Sequence, residues 1–123
     1  MMDCIFCTIQ KERIVLENEY AYAIYDGFPV NPGHFLIIPK RHFSDYFESS
    51  DTERLALLKL VDEAKKILDK EKHPAGYNIG INIGEAAGQS VMHLHIHLIP
   101  RYTGDVKNPR GGVRGVIPGK QSY

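Results

Sequence analysis

The sequence predicts an α+β domain. Three observations carry this. Five short segments are rich in β-branched and aromatic residues, one long segment repeats apolar residues at helical spacing, and the helix falls between two groups of strands. At 123 residues the chain fits a single domain. Residues 1–102 read as the folded unit, and residues 103–123 as an extended arm of the same domain.

The elements follow in chain order. Residues 4–11 suit a short N-terminal helix carrying Ile5, Phe6 and Ile9. Arg13 to Glu17 and Tyr20 to Asp26 read as strands. The turn FPVNPGH has two prolines and a glycine as punctuation. His34 to Pro39 is a strongly apolar strand. Ser50 and Glu53 form a capping box, S-x-x-E, at the start of a helix. Leu57, Leu60, Val61, Ala64, Ile67 and Leu68 then form its core-facing stripe, and Pro74 and Gly76 end it. His73, beside Pro74, places favourable charge at the helix C-terminus. Tyr77 to Ile83 and Val91 to Ile99 read as an antiparallel hairpin joined by GEAAGQS. The last 21 residues show no period of either kind.

The bulk numbers exclude several classes. Fifteen basic residues balance fifteen acidic ones, and no basic stripe with interleaved aromatics precedes the tail. Affinity for nucleic acid or an anionic membrane is therefore not expected. No segment approaches the roughly 18 apolar residues of a membrane span. No basic region precedes an apolar run at the N-terminus, so no signal peptide is read there. A cytoplasmic protein is expected. Cys4 and Cys7, spaced C-x-x-C, point to metal binding or redox work in such a compartment.

The chemistry concentrates in MHLHIHLIPR. Half of the six histidines, His93, His95 and His97, fall within five residues. Strand alternation would put the three imidazoles on one face and Met92, Leu94, Ile96 and Leu98 on the other. Such a row can be a polar strand face, part of a zinc site, or a nucleophilic centre. Neutral imidazole attacks and protonated imidazole donates near pH 7. The preceding loop favours the last. Gly84 and Gly88 permit close approach, and Gln89 and Ser90 supply donors of the kind phosphoryl transfer needs.

His93-Leu94-His95-Ile96-His97-Leu98-Ile99 resembles the histidine-triad (HIT) motif, H-φ-H-φ-H-φ-φ with φ apolar. The context is similar as well: Asn82, then GEAAGQSV, then the triad and Pro100-Arg101, with Asp26, His34, Pro39 and His42 upstream in the family's order. The resemblance implies a five-stranded antiparallel sheet with one long and one short helix, joined in a homodimer into a ten-stranded sheet. It implies a nucleotide hydrolase or transferase that cleaves dinucleoside polyphosphates or nucleoside phosphoramidates at the α-phosphorus and releases a nucleoside monophosphate. His95 would be the nucleophile and His97 the donor to phosphate or leaving group. The His93 carbonyl would fix the His95 tautomer, and His34 would support the group. Asn82, Gln89 and Ser90 would contact phosphate, Asp26 the ribose, and Ile5, Phe6, Ile9 and Ile24 the purine base.

Many bacterial members that resemble this chain also bind zinc, and the resemblance implies one structural zinc per chain. The matching residues here are Cys4, Cys7, His42 and His93. Two features point to different branches. Asn82 is the residue type of the phosphoramidase branch, whereas Pro100-Arg101 resembles the dinucleoside-polyphosphate branch. A non-catalytic purine-nucleotide-binding module is the alternative to an enzyme. The tail carries Lys107, Arg110, Arg114 and Lys120 against Asp105 alone. A positive arm of this kind is expected to draw in an anionic substrate and help close its site.

Overall fold

The computed structural model describes residues 4–123, so the first three residues of the expected 1–102 unit lie outside the described residues. The strands are β1 (Ile14–Glu17), β2 (Ala21–Tyr25), β3 (Phe35–Pro39), β4 (Gly76–Gly80) and β5 (Ile96–Arg101), with one long helix, α1 (Asp51–Glu71), between β3 and β4. They form one sheet in the order β1-β2-β3-β5-β4, every neighbouring pair antiparallel. The α+β expectation matches this architecture.

Alternation along the strands gives the sheet two different faces. Ala21, Ala23, Phe35, Ile37, Leu94, Ile96 and Leu98 pack against Leu57, Leu60, Val61, Ala64 and Leu68 of α1. Each fully buried leucine of this layer contributes about 1.5–3 kcal/mol. On the opposite face Tyr22, Ile24, Leu36 and Ile38 pack against Phe6 of the N-terminal segment. The Tyr22 hydroxyl donates to the Phe6 carbonyl, and burial pushes its pKa up, so it stays a donor.

The helix begins as expected. The Ser50 hydroxyl accepts from the Glu53 N–H, and the Glu53 carboxylate accepts from the Ser50 N–H. Glu53 also takes two hydrogen bonds from Arg41, at 2.9 Å each. These bonds hold its pKa down at about 2. At the other end His73 adopts a positive φ of 50° and its N–H bonds the Leu68 carbonyl, closing the helix before Pro74. Gly33, at φ +92°, is required in the NPGH turn because a Cβ there would lie 2.5 Å from Leu68.

Four expectations change. The short helix over residues 4–11 is a turn closed by the Cys7 N–H on the Cys4 carbonyl, followed by a 3-10 turn at Lys11–Arg13. Side-chain demands explain this, because the cysteines and Phe6 are drawn to different partners. The triad strand begins only at Ile96. Before it, the Leu94 N–H bonds the Phe43 carbonyl beyond the end of β3, so Met92, expected in the core, is 45% exposed. The hairpin connector is accordingly residues 81–95 and contains a 3-10 turn at Glu85–Ala87. Finally, residues 103–123 are not an extended arm. They hold a 3-10 turn, Gly112–Val116, packed beside β4. The chain folds back until the Tyr123 ring lies 5.3 Å from Arg110 and 4.7 Å from Arg114. Gly111 permits the return, since a Cβ would collide with the Gln121 carbonyl.

Candidate functional site

Two histidine clusters meet at the segment His93–His97. In the first, the His93 Nε2 lies 2.8 Å from the Pro39 carbonyl. A carbonyl only accepts, so Nε2 carries the hydrogen and Nδ1 keeps its lone pair. That nitrogen lies 3.3 Å from the Cys4 sulfur, 3.5 Å from the Cys7 sulfur and 3.1 Å from His42 Nδ1. Cys7 is 3.4 Å from His42 Nδ1. All four ligand-type atoms fall within 4.8 Å of one another. A tetrahedral ion with nitrogen and sulfur ligands at about 2.0–2.3 Å separates those ligands by about 3.3–3.8 Å. The donor set and its spacing therefore fit a four-coordinate metal.

The second cluster faces a cleft of about 480 Å³. The His95 Nδ1 lies 2.9 Å from the His93 carbonyl. Here Nδ1 holds the hydrogen and Nε2 is left with its lone pair. Behind it runs a chain of defined polarity. The Val30 N–H donates to His34 Nδ1 at 3.2 Å, so neutral His34 carries its hydrogen on Nε2, 3.0 Å from His97 Nδ1. His97 then presents Nε2–H. The Asp26 carboxylate sits 3.5 Å from His34 Nε2, and its other oxygen accepts from the Phe28 N–H. Burial pulls the pKa of His97 down to about 4, with the neighbouring His95 and His34 adding to the effect. Burial also lowers His34, opposed by Asp26. Both rings are neutral donors at pH 7. Asp26, His34 and His97 also bring ligand-type atoms together, but the hydrogen bonds account for their spacing.

The cleft is lined by Ile5, Phe6, Ile9, Asp26, Asn82, Ser90, His95 and His97. Phe6 sits edge-on to His95, ring centres 5.1 Å apart. Other expected residues lie elsewhere. Ile24 is fully buried beneath the cleft floor. Gln89 turns inward, accepting from the Gly84 N–H and donating to the Ser44 and Val91 carbonyls, which braces the loop around Ser90. His93 belongs to the Cys/His cluster, and His34 stands behind His97. Arg13, Gly27, Phe28, Leu36, Gly88 and Val91 also line the cleft. Leu36 had a signal in the sequence: it alternates with His34 on one strand face. Phe28, 91% exposed beside Asp26, had one in the rarity of an exposed aromatic in a turn.

The HIT domain family model matches residues 8–104. A HIT-like protein of Mycoplasma pneumoniae is 41% identical over 81% of this chain and 72% of its own length. An AP-4-A phosphorylase of Mycobacterium tuberculosis is 34% identical over 78% of this chain and 50% of its own. Among solved structures, a zinc-bound histidine triad family protein of Mycobacterium smegmatis superposes with a TM-score of 0.76 at 33% identity, covering 85% of this chain and 78% of the other. A diadenosine triphosphate hydrolase of Plasmodium falciparum gives 0.76 at 28% identity, covering 81% and 68%.

Proposed function

Because this chain belongs to the histidine-triad family, we propose that it is a nucleotide hydrolase or transferase that works through a nucleotidyl-His95 intermediate. The observation that carries this is the His95 tautomer: its Nδ1–H is committed to the His93 carbonyl, so Nε2 meets the cleft as a lone pair. Purine nucleotides are the substrate, with phosphoric-anhydride or phosphoramidate bonds cleaved at the α-phosphorus. The base lies against Ile5, Phe6, Ile9 and Leu36, the ribose hydroxyls reach Asp26, and Asn82 and Ser90 donate to phosphate. Ile24 and Gln89 act from below, as floor and brace.

The attack forms the Nε2–phosphorus bond and breaks the bond to the leaving group, which takes the electron pair. His97 Nε2–H donates to the phosphate oxygens as charge grows on them. Cationic substituted His95 keeps its Nδ1–H on the His93 carbonyl. Water then attacks phosphorus and passes its proton to solvent. The Nε2–phosphorus bond breaks with its electron pair returning to Nε2, so nucleoside monophosphate leaves and His95 is neutral again. Trapping a radiolabelled nucleotide on acid-quenched protein, and locating it on His95, tests the reading. Tight binding with no trapped label and no turnover would instead support the non-catalytic nucleotide-binding module.

One zinc per chain fits Cys4, Cys7, His42 and His93; bound there, it would tie the N-terminal segment to the sheet. It would take no part in the reaction, although His93, whose carbonyl orients His95, would be one of its ligands. A homodimer is part of the same reading. It is supported by exposed Leu55 and Leu58 on α1 and by exposed Ile79 on the edge strand β4. Among the described residues no helix is long and apolar enough to cross a membrane, and we place the protein in the cytoplasm. Light scattering and fractionation test these two points.

A further inference from the structure

The face of β5 that carries His97 continues through Ile99 to Arg101, each step about 7 Å along the strand. His97 lines the catalytic cleft. Ile99 and Arg101 line a second cavity of about 350 Å³. The loop after β2 does the same, with Asp26 to Phe28 on the first cavity and Val30 and Asn31 on the second. The two spaces are therefore neighbours on one sheet face. The first lies over β3, on Leu36; the second lies over β5 and β4, on Ile99 and its cross-strand partner Asn78. His97 stands at the boundary. The folded tail supplies the far wall, through Val106, Asn108, Gly112 and Gln121.

The chemistry of the second cavity argues against a phosphate. Its one cation, Arg101, is held by both Asp105 oxygens at 2.8 and 2.9 Å and by Asn78 at 2.7 Å. Asp105 is thereby kept well below the usual carboxylate range, so the pair is neutral overall. The tail arginines expected to attract anions, Arg110 and Arg114, lie against the Tyr123 ring instead. What remains is apolar surface from Val30, Ile99 and Val106 with side-chain amides. Among the described residues, the Asn78 amide nitrogen and the Gln121 side-chain oxygen take no hydrogen-bond partner. One donor, one acceptor and flanking apolar surface suit a nucleobase.

We propose that this cavity is a leaving-group subsite that holds the second nucleoside of a dinucleoside polyphosphate. The inference rests on the catalytic reading above. When the His95–phosphorus bond forms, the departing nucleoside polyphosphate leaves with the bonding electrons while its nucleoside lies between β4, β5 and the tail. This identifies dinucleoside polyphosphates, rather than phosphoramidates of small amines, as the preferred substrate class.

The test compares diadenosine tetraphosphate with adenosine 5′-tetraphosphate. Both offer the same α-phosphorus, and only the first has a second nucleoside. The wild type should favour the dinucleotide in kcat/KM by about tenfold or more. Val106→Trp, which fills the cavity from an exposed turn, and Gln121→Ala, which removes the acceptor, should each bring that ratio toward one. Melting curves of both variants verify that they fold. A wild-type ratio within twofold of one, or ratios unmoved in both folded variants, overturns the subsite and leaves the His95 chemistry standing. Absence of turnover and of trapped label with either substrate overturns the catalytic reading, and the subsite with it.

Discussion

His93 and His95 are two residues apart and each is hydrogen-bonded to a backbone carbonyl, yet the proposed function gives them opposite work. His93 gives its Nε2–H to Pro39 and turns Nδ1 toward two sulfurs and His42. His95 gives its Nδ1–H to His93 and turns Nε2 toward the cleft. The side-chain type is the same. What differs is which ring nitrogen meets the carbonyl, and in the proposed function this would make one a metal ligand and the other a nucleophile. The two are also coupled in series, because the carbonyl that fixes His95 belongs to a residue the Cys/His cluster holds in place.

The sharpest break of this comparison is at the nucleophile. His95→Asn keeps a side chain of similar reach and removes the attacking nitrogen. Turnover should fall by about a thousandfold or more while nucleotide binding survives. Calorimetric binding beside steady-state rates checks both halves. More than a tenth of the wild-type rate would remove His95 from its role.

The metal side should respond differently. Cys4→Ser/Cys7→Ser leaves every cleft donor in place but loosens the N-terminal segment, which then keeps only the packing of Phe6 and Ile9 and the Tyr22 hydrogen bond. Zinc analysis should give one ion per chain in the wild type and none in the variant. The variant's Tm should drop by about 10 °C, with a smaller loss of kcat transmitted through the His93 carbonyl. A metal-free wild type, or an unchanged Tm, would dissolve the division of labour.

How much of this contrast was legible in the sequence follows from its physics. The triad, the C-x-x-C pair, the Ser50–Glu53 cap and the apolar stripe of α1 are local patterns, and local spacing describes them well. Alternation also sorted Leu94, Ile96 and Leu98 correctly into the core. It overstated the strand, because the Leu94 N–H bonds Phe43 and regular pairing with β3 begins only at Ile96. What local spacing cannot carry is contact across long separations. Gln89 reaches back to Ser44, Asn31 reaches forward to Pro100 and Asp105, and Tyr123 closes on Arg110 and Arg114. Composition made the tail look like a basic arm; those contacts make it a folded wall.

A smaller effect tests the chain behind the nucleophile. His34→Gln keeps a donor but breaks the ordered run from Val30 N–H through His34 to His97. His97 would lose its fixed tautomer, and kcat should fall about tenfold with KM nearly unchanged. An equal rise in KM would mark His34 as part of the binding surface instead.

The smallest expected effect is on stability. The His97 pKa is about 4 in the folded chain against an ordinary value of 6.5. Between these values the unfolded state binds more protons than the folded state, so stability rises with pH. The contribution is complete above about pH 6.5 and is lost as pH falls toward 4. Lowering pH from 7 to 5.5 should cost about 1 kcal/mol from this residue, before any discount for partial exposure. The direction matters for the comparison. A histidine kept neutral by burial is destabilised by acid, whereas one gaining a carboxylate partner would be stabilised by it. Asp26 pulls His34 and His97 the second way, and burial outweighs it in both. Urea melts of zinc-loaded wild type and His97→Asn at pH 7 and 5.5 isolate the contribution of His97, because the Cys4, Cys7, His42 and His93 cluster is common to both proteins. The wild type should lose more stability than the variant over this interval. Equal losses would mean that His97 is solvated well enough to titrate normally, and that its hydrogen is not held by the chain running back to Val30.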